Sequence, residues 1–208
     1  MEHSVNQITL RGSLQGLPRF SHENHGKQFY RFFLEVPRLS GAVDVLPVIA
    51  EEYTLDQMDL SGGEMLTVSG QIRSYNCRTD GVRHLMIFVF ANDIVAEDGE
   101  PINEVTVEGL LCKEPTYRRT PLGREICDVM LAVPRAFKRA DYLPCILWGR
   151  TAQDISLCSV RDWIRLEGRL QSRVYTKLTE NGPQERTAYE ISALTAEALE
   201  ASVRQDRD

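Results

Sequence analysis

The heptapeptide NQITLRG at residues 6–12 returns as NEVTVEG at residues 103–109, 97 positions later. The same offset pairs Pro18 with Pro115, Gly26 with Gly123, VPR at 36–38 with VPR at 133–135, Asp44 with Asp141 and Pro47 with Pro144. After a slip of one residue, GQIRS at 70–74 matches GRLQS at 168–172. Chance does not hold one register over so many turn residues, so the chain reads as two copies of one unit. The expected boundaries are 1–98 and 102–198, joined through the polar, Gly- and Pro-bearing stretch 97–101, with a short polar tail at 199–208.

Each copy reads as β-structure. Ile8 and Leu10, like Val105 and Val107, alternate with polar residues, the period-two pattern of a half-buried strand. Further strands are expected at 29–36 and 126–133, and at 45–50 and 143–148. One or two helical turns are expected at 54–60 and 151–158. Long strands at 65–75 and 163–175 turn back through Asp80-Gly81 and Asn181-Gly182, both strong hairpin signals, into strands at 84–95 and 187–194. The Ala- and Glu-rich segment 195–204 reads as helix. Five strands with a short helix between the third and fourth follow the order of an OB barrel more closely than that of other small β-barrels. The expected fold is all-β, two tandem five-stranded OB barrels with short helices.

Composition narrows the function classes. No apolar run approaches the roughly 18 residues of a membrane span, and the polar start of the chain does not read as a signal peptide. The five cysteines are scattered without a Cys-x-x-Cys pair, and the four histidines all lie in the first copy. Neither a disulfide framework nor a zinc site is expected, which suits a reducing cytosol. With no Gly-rich phosphate loop, no nucleophile triad and no paired carboxylates in a metal-ligand pattern, we expect neither an enzyme nor a cofactor. Formal net charge is −6, yet it is unevenly spread. Residues 1–98 hold 8 Lys and Arg against 13 Asp and Glu, whereas residues 102–190 hold 14 against 12. The second copy is the better match for an anionic partner.

The second copy resembles the bacterial single-stranded DNA-binding protein family. The stretches that carry the likeness are NEVTVEG (103–109), KEPTYRRTPLG (113–123), LAVPR (131–135), DYLPCILWG (141–149) and LEGRLQSR (166–173), in the family's order over nearly the whole copy. The resemblance implies sequence-tolerant binding of single-stranded DNA in replication, recombination or repair, in the bacterial cytosol or nucleoid. It also implies a homodimer that brings four barrels together, with replication or repair proteins as further partners. Its stacking positions fall on Phe137, Tyr142, Trp148 and Tyr175, of which Trp148 also borders an apolar run that would suit a core residue. Such binding needs rings for the bases and cations for the phosphates. The cations interleave: Arg135, Lys138 and Arg139 flank Phe137, and Arg150 follows Trp148. Arg169, Arg173 and Lys177 run along the arm of Tyr175, while Arg118, Arg119 and Arg124 line the first hairpin.

The first copy departs from this pattern. Where the second has Phe137, Tyr142 and Trp148, it has Ser40, Val45 and Glu51. Only Tyr75, with Arg73, Arg78 and Arg83 around it, remains as a candidate contact. An alternative reading is therefore an OB-fold protein–protein docking module of the replication-restart machinery, and RNA binding is a third. The family's acidic, apolar recruiting tip has no counterpart in RQDRD at 204–208, so a recruiting role is not expected.

Overall fold

A computed structural model describes residues 5–56, 58–79, 82–179 and 182–199. The first half contains β1 (Asn6–Asn24), β2 (Lys27–Pro37), β3 (Val43–Glu51), the single turn α1 (Glu52–Leu55), β4 (Met65–Thr79) and β5 (Val82–Ala96). The second contains β6 (Ile102–Leu111), β7 (Thr116–Arg119), β8 (Glu125–Arg135), β9 (Arg139–Trp148), α2 (Gly149–Ser156), β10 (Trp163–Thr179) and β11 (Gly182–Ala198). β6 and β7 together correspond to β1, the pairing with β8 being interrupted between Leu111 and Thr116.

Each half closes on itself. β1 pairs antiparallel with β2 and β4, β2 with β3, and β4 with β5. A short parallel contact, Val48 to Val89 and Ile49 to Phe90, completes the ring. The second half repeats this, with Cys145 to Ile191 and Ile146 to Ser192 as the parallel closure. The period-two residues fill the interior. Leu10, Leu34, Leu46, Leu66 and Val89 are buried in the first barrel, and Val107, Leu131, Leu143, Leu166 and Ile191 in the second. Full burial of each such side chain stabilises by roughly 1.5–3 kcal/mol. Cys127 and Cys145 are buried among them as small hydrophobes, and burial raises the Cys127 thiol to about 11. Gly70 and Gly168 stand at matching register shifts in β4 and β10. A Cβ there would collide with the carbonyls of Phe90 and Ser192, so no other residue lets the strands approach.

The two barrels join through one antiparallel ladder, β1 against β6, with Asn6 opposite Val107 and Arg11 opposite Ile102. Ile8 faces its own repeat mate Val105, so an approximate two-fold axis passes between them. The polar residues kept in both copies make this joint. Asp44, fully buried, accepts from Arg38 Nε (2.7 Å) and from the Ser172 backbone N–H (2.7 Å) across the interface. Asp141, also fully buried, accepts from the Ser74 N–H (2.7 Å) and from Arg73 (3.1 Å), with Arg135 at 3.3 Å. Ser74 Oγ in turn accepts from the Tyr142 N–H (2.7 Å), as Ser172 Oγ does from Val45 (3.3 Å).

One expectation fails. The segment from Thr195 is strand, not helix, and β11 continues to Ala198. Thr195, Ala196 and Glu197 stand opposite Glu167, Leu166 and Arg165, so ladder hydrogen bonds and burial of Ala196 against the core override helix propensity. Even Leu199 donates its N–H to Trp163 O (2.9 Å), and the rest of the expected helix and tail, 200–208, lies outside the described residues. The expected turn residues 80, 81 and 181 do too.

Candidate nucleic-acid interface

β9 leaves the barrel with alternate residues outward. Asp141, Leu143, Cys145 and Leu147 point in, and Tyr142 and Trp148 stand 45% and 37% exposed. Six residues of strand separate the two rings by about 20 Å along β9. Trp148 is not enclosed in the core, and its Nε1 donates to Ser192 Oγ at 3.1 Å, which fixes the indole's orientation.

Phe137 stands apart. It sits in a single 3₁₀ turn, Ala136–Lys138, between β8 and β9, with φ of 61°, followed by Lys138 at 54°. Two consecutive left-handed non-glycine residues are strained, at about 1–2 kcal/mol each. The turn holds the phenyl ring 94% exposed, with no intramolecular burial to compensate. Strained backbone presenting a bare aromatic ring suits a ligand contact more than a packing role.

Tyr175 lies on β10 at the far end of the β10–β11 hairpin, 38% exposed, with the Arg173 guanidinium 5.7 Å from its ring centroid. Arg173, Tyr175 and Lys177 share one face of the strand. Arg169 lies at the hairpin's base rather than near its tip, on the outer face between the buried Gly168 and Leu170. Its Nε is enclosed and lacks an acceptor among the described residues.

The remaining cations differ in their freedom. Lys138, Arg139 and Lys177 are exposed, and Arg150 is 92% exposed with only a loose contact to Asp154 (3.8 Å). Arg118 pairs with Asp128 (2.7 Å) and Arg119 with Glu125 (2.8 Å). Glu125 also gathers Gln153, and the Arg119 hydrogen bond holds its carboxyl below the ordinary range. Such exposed pairs contribute little to stability and exchange readily for phosphate. Arg135 is different, because its guanidinium faces the buried carboxylate of Asp141 and supports the inter-barrel joint.

The equivalent surface of the first barrel offers no platform. Glu51 ends β3 where Trp148 ends β9, and Lys27 ties it down at 2.9 Å. An adjacent cavity of about 460 Å³ is lined by Glu51, Asp93, Tyr53 and Phe90, with carboxylates and, among the described residues, no cation. Sequence reasoning missed a second feature, a cleft of about 670 Å³ between the β4–β5 and β10–β11 hairpins. It brings His84 and Met86 of the first half to Pro144, Tyr175, Lys177 and Arg186 of the second. Only the lone basic residues at hairpin positions hinted at it.

Comparison with known proteins agrees with this geometry. The model of the single-strand binding protein family matches residues 102–199. Single-stranded DNA-binding protein B of Bacillus subtilis (strain 168) is 39% identical over 80 residues, which are 35% of this chain and 71% of that protein. Single-stranded DNA-binding protein 1 of Staphylococcus aureus (strain COL) is 36% identical over 81 residues, and the chain spans 48% of its length. The crystal structure of the wild-type single-stranded DNA binding protein from Thermus aquaticus superposes with a TM-score of 0.78 at 22% identity. That match covers 96% of this chain and 95% of the other, so the likeness of fold takes in both barrels. This chain belongs to the single-strand binding protein family.

Proposed function

We propose that the protein binds single-stranded DNA with little sequence preference, serving replication, recombination or repair in the bacterial cytosol. The observation that carries this reading is the set of outward rings Phe137, Tyr142 and Trp148, bordered by Lys138, Arg139 and Arg150, all within the family match. Bases stack on the rings, each for about 1–3 kcal/mol, and the free cations take phosphates. Tyr175, Arg173 and Lys177 extend the track along the hairpin, with Arg118 and Arg119 on its other side. Arg135 acts through Asp141, and Arg169 from the hairpin base. In this reading residues 1–98 and 102–198 are two domains, the second carrying the platform. No helix among the described residues is long and apolar enough to cross a membrane.

The strands β5, β4, β1, β6, β10 and β11 form one continuous sheet across both halves. Its open face suits a second copy related by a two-fold axis, giving a homodimer with four barrels. For the first barrel alone, the carboxylate-lined cavity favours protein docking over DNA.

Titration with oligo-dT of several lengths, at two salt concentrations and against duplex, tests the main reading. Tight, length-dependent, salt-sensitive binding of the single strand is expected; equal affinity for duplex would overturn it. Light scattering should give about twice the 23.6 kDa chain mass, and a monomer at micromolar concentration removes the dimer.

A further inference from the structure

We infer that the cleft between the two hairpins is a second nucleotide subsite, with walls from both barrels, so that the first half touches DNA directly. The inference rests on the single-stranded DNA reading and adds to it a place and a set of residues.

Position comes first. Pro144 forms one side of the cleft, and it lies on β9 between Tyr142 and Trp148, on the same outward register. A strand running along the β9 rings therefore passes the Pro144 wall of the cleft. The volume, about 670 Å³, lies within the roughly 300–1,000 Å³ of small-ligand sites.

Chemistry follows from the lining. Among the described residues, Lys177, Arg186 and His84 line it and no carboxylate does, the reverse of the Glu51 and Asp93 cavity. Arg186 Nη1 lies 3.3 Å from His84 Nδ1. A guanidinium only donates, so in this contact Nδ1 accepts and the outer Nε2 is left to donate. The first half thus supplies an N–H donor beside a guanidinium and an ammonium, a set suited to a phosphodiester oxygen. Tyr175 offers a ring face for the base, already electrostatically paired with Arg173, and Met86 offers a polarizable apolar neighbour. Stacking face, phosphate donors and apolar wall are what a sequence-tolerant single-strand contact requires.

The test uses the full chain with His84→Glu and Arg186→Glu, and Trp148→Ala as reference. Each cleft variant should weaken long oligo-dT about tenfold, and lower the slope of log K against log salt by about 0.7 for each phosphate no longer bound. Quenching of Trp148 at saturation should persist, because the β9 rings stay occupied. His84→Gln, which keeps a donor, should bind within about twofold of the parent. A second measurement does not depend on the folding of variants: oligo-dT carrying 5-iodouracil should photo-cross-link the unmodified protein in the first half, within residues 82–89. Parental affinity and salt slope in both charge variants, or cross-links confined to the second half, overturn the cleft and leave the platform standing. If the parent itself shows no preference for single strands, the underlying reading fails and the cleft falls with it.

Discussion

The two barrels share a skeleton and oppose each other in surface. Four polar residues that tie strands together kept their identity: Asn6 and Asn103 each bridge the N–H and C=O of a strand residue, Ile72 or Leu170. Asp44 and Asp141 each accept the N–H of a serine on the opposite hairpin, Ser172 or Ser74. Outward positions carry no such obligation. There Ser40, Val45 and Glu51 stand opposite Phe137, Tyr142 and Trp148. A buried polar group must find its partner in either copy, whereas a surface position answers only to its ligand. The comparison therefore separates what holds the barrels together from what the second one binds.

Breaking the shared part should have the largest effect. In Asp141→Ala, the Ser74 N–H and the guanidiniums of Arg73 and Arg135 lose a fully buried acceptor. Asp44→Ala removes the same support from Arg38 and Ser172. Each substitution should cost about 3 kcal/mol in urea unfolding, because breaking one side of a buried pair leaves the other uncompensated. The two values should agree within about 1 kcal/mol if the two-fold relation holds. A loss below about 1 kcal/mol in either would show that the joint does not depend on these carboxylates.

The divergent part is tested by substitutions at equivalent positions. Trp148→Ala should reduce oligo-dT affinity by about 1–3 kcal/mol while the melting curve moves little, since the indole is partly open to solvent. Glu51→Ala, at the matching site, should leave DNA affinity unchanged within about threefold, because no ring is removed. Equal losses at both positions would mean that the barrels share the strand evenly. Phe137→Ala should cost about 1 kcal/mol of binding. Its effect on stability should stay within about 0.5 kcal/mol, as expected for a surface side chain that packs on nothing.

The repeat, the strand order and the fold class were legible because turn residues and period-two burial leave a pattern in the sequence. The exposed rings of the second barrel were legible as residue types, with Trp148 undecided between core and surface until β9 placed it outward with its Nε1 on Ser192. Arg135 and Arg169 looked like ordinary phosphate ligands. Only geometry showed the first facing Asp141 and the second partly enclosed, since tertiary partners at such sequence distance leave no local signal. The cleft was invisible for the same reason: His84 and Arg186 are 102 residues apart. The helix expected after Thr195 failed because Ala and Glu favour helix only where no neighbouring strand offers a ladder.

The smallest expected effect concerns one turn kept in both halves in different chemistry. Ser61 and Glu64 precede β4, and Ser159 and Asp162 precede β10. In the first half the longer Glu64 side chain reaches back to accept from Ser61 Oγ (2.5 Å), the Ser61 N–H (2.7 Å) and the Gly62 N–H (2.9 Å). Asp162 Oδ2 accepts the Ser159 N–H at 2.9 Å. The Ser61 hydroxyl, then the backbone donors, hold the Glu64 carboxyl down at about 2, from an ordinary 4.5. A carboxyl with a lowered folded-state value stabilises the fold above its unfolded value and loses that contribution as pH falls through the folded one. The turn should therefore stay formed at pH 5 and loosen between about pH 4 and pH 2. Solvent surrounds the carboxyl, so the consequence is local rather than global. Amide chemical shifts of Ser61 and Gly62 should titrate with a midpoint near 2, and Glu64→Gln should abolish the step while the Ser159 amide keeps its own profile. A Glu64 midpoint at its ordinary value would mean that the three donors do not hold the carboxylate in solution.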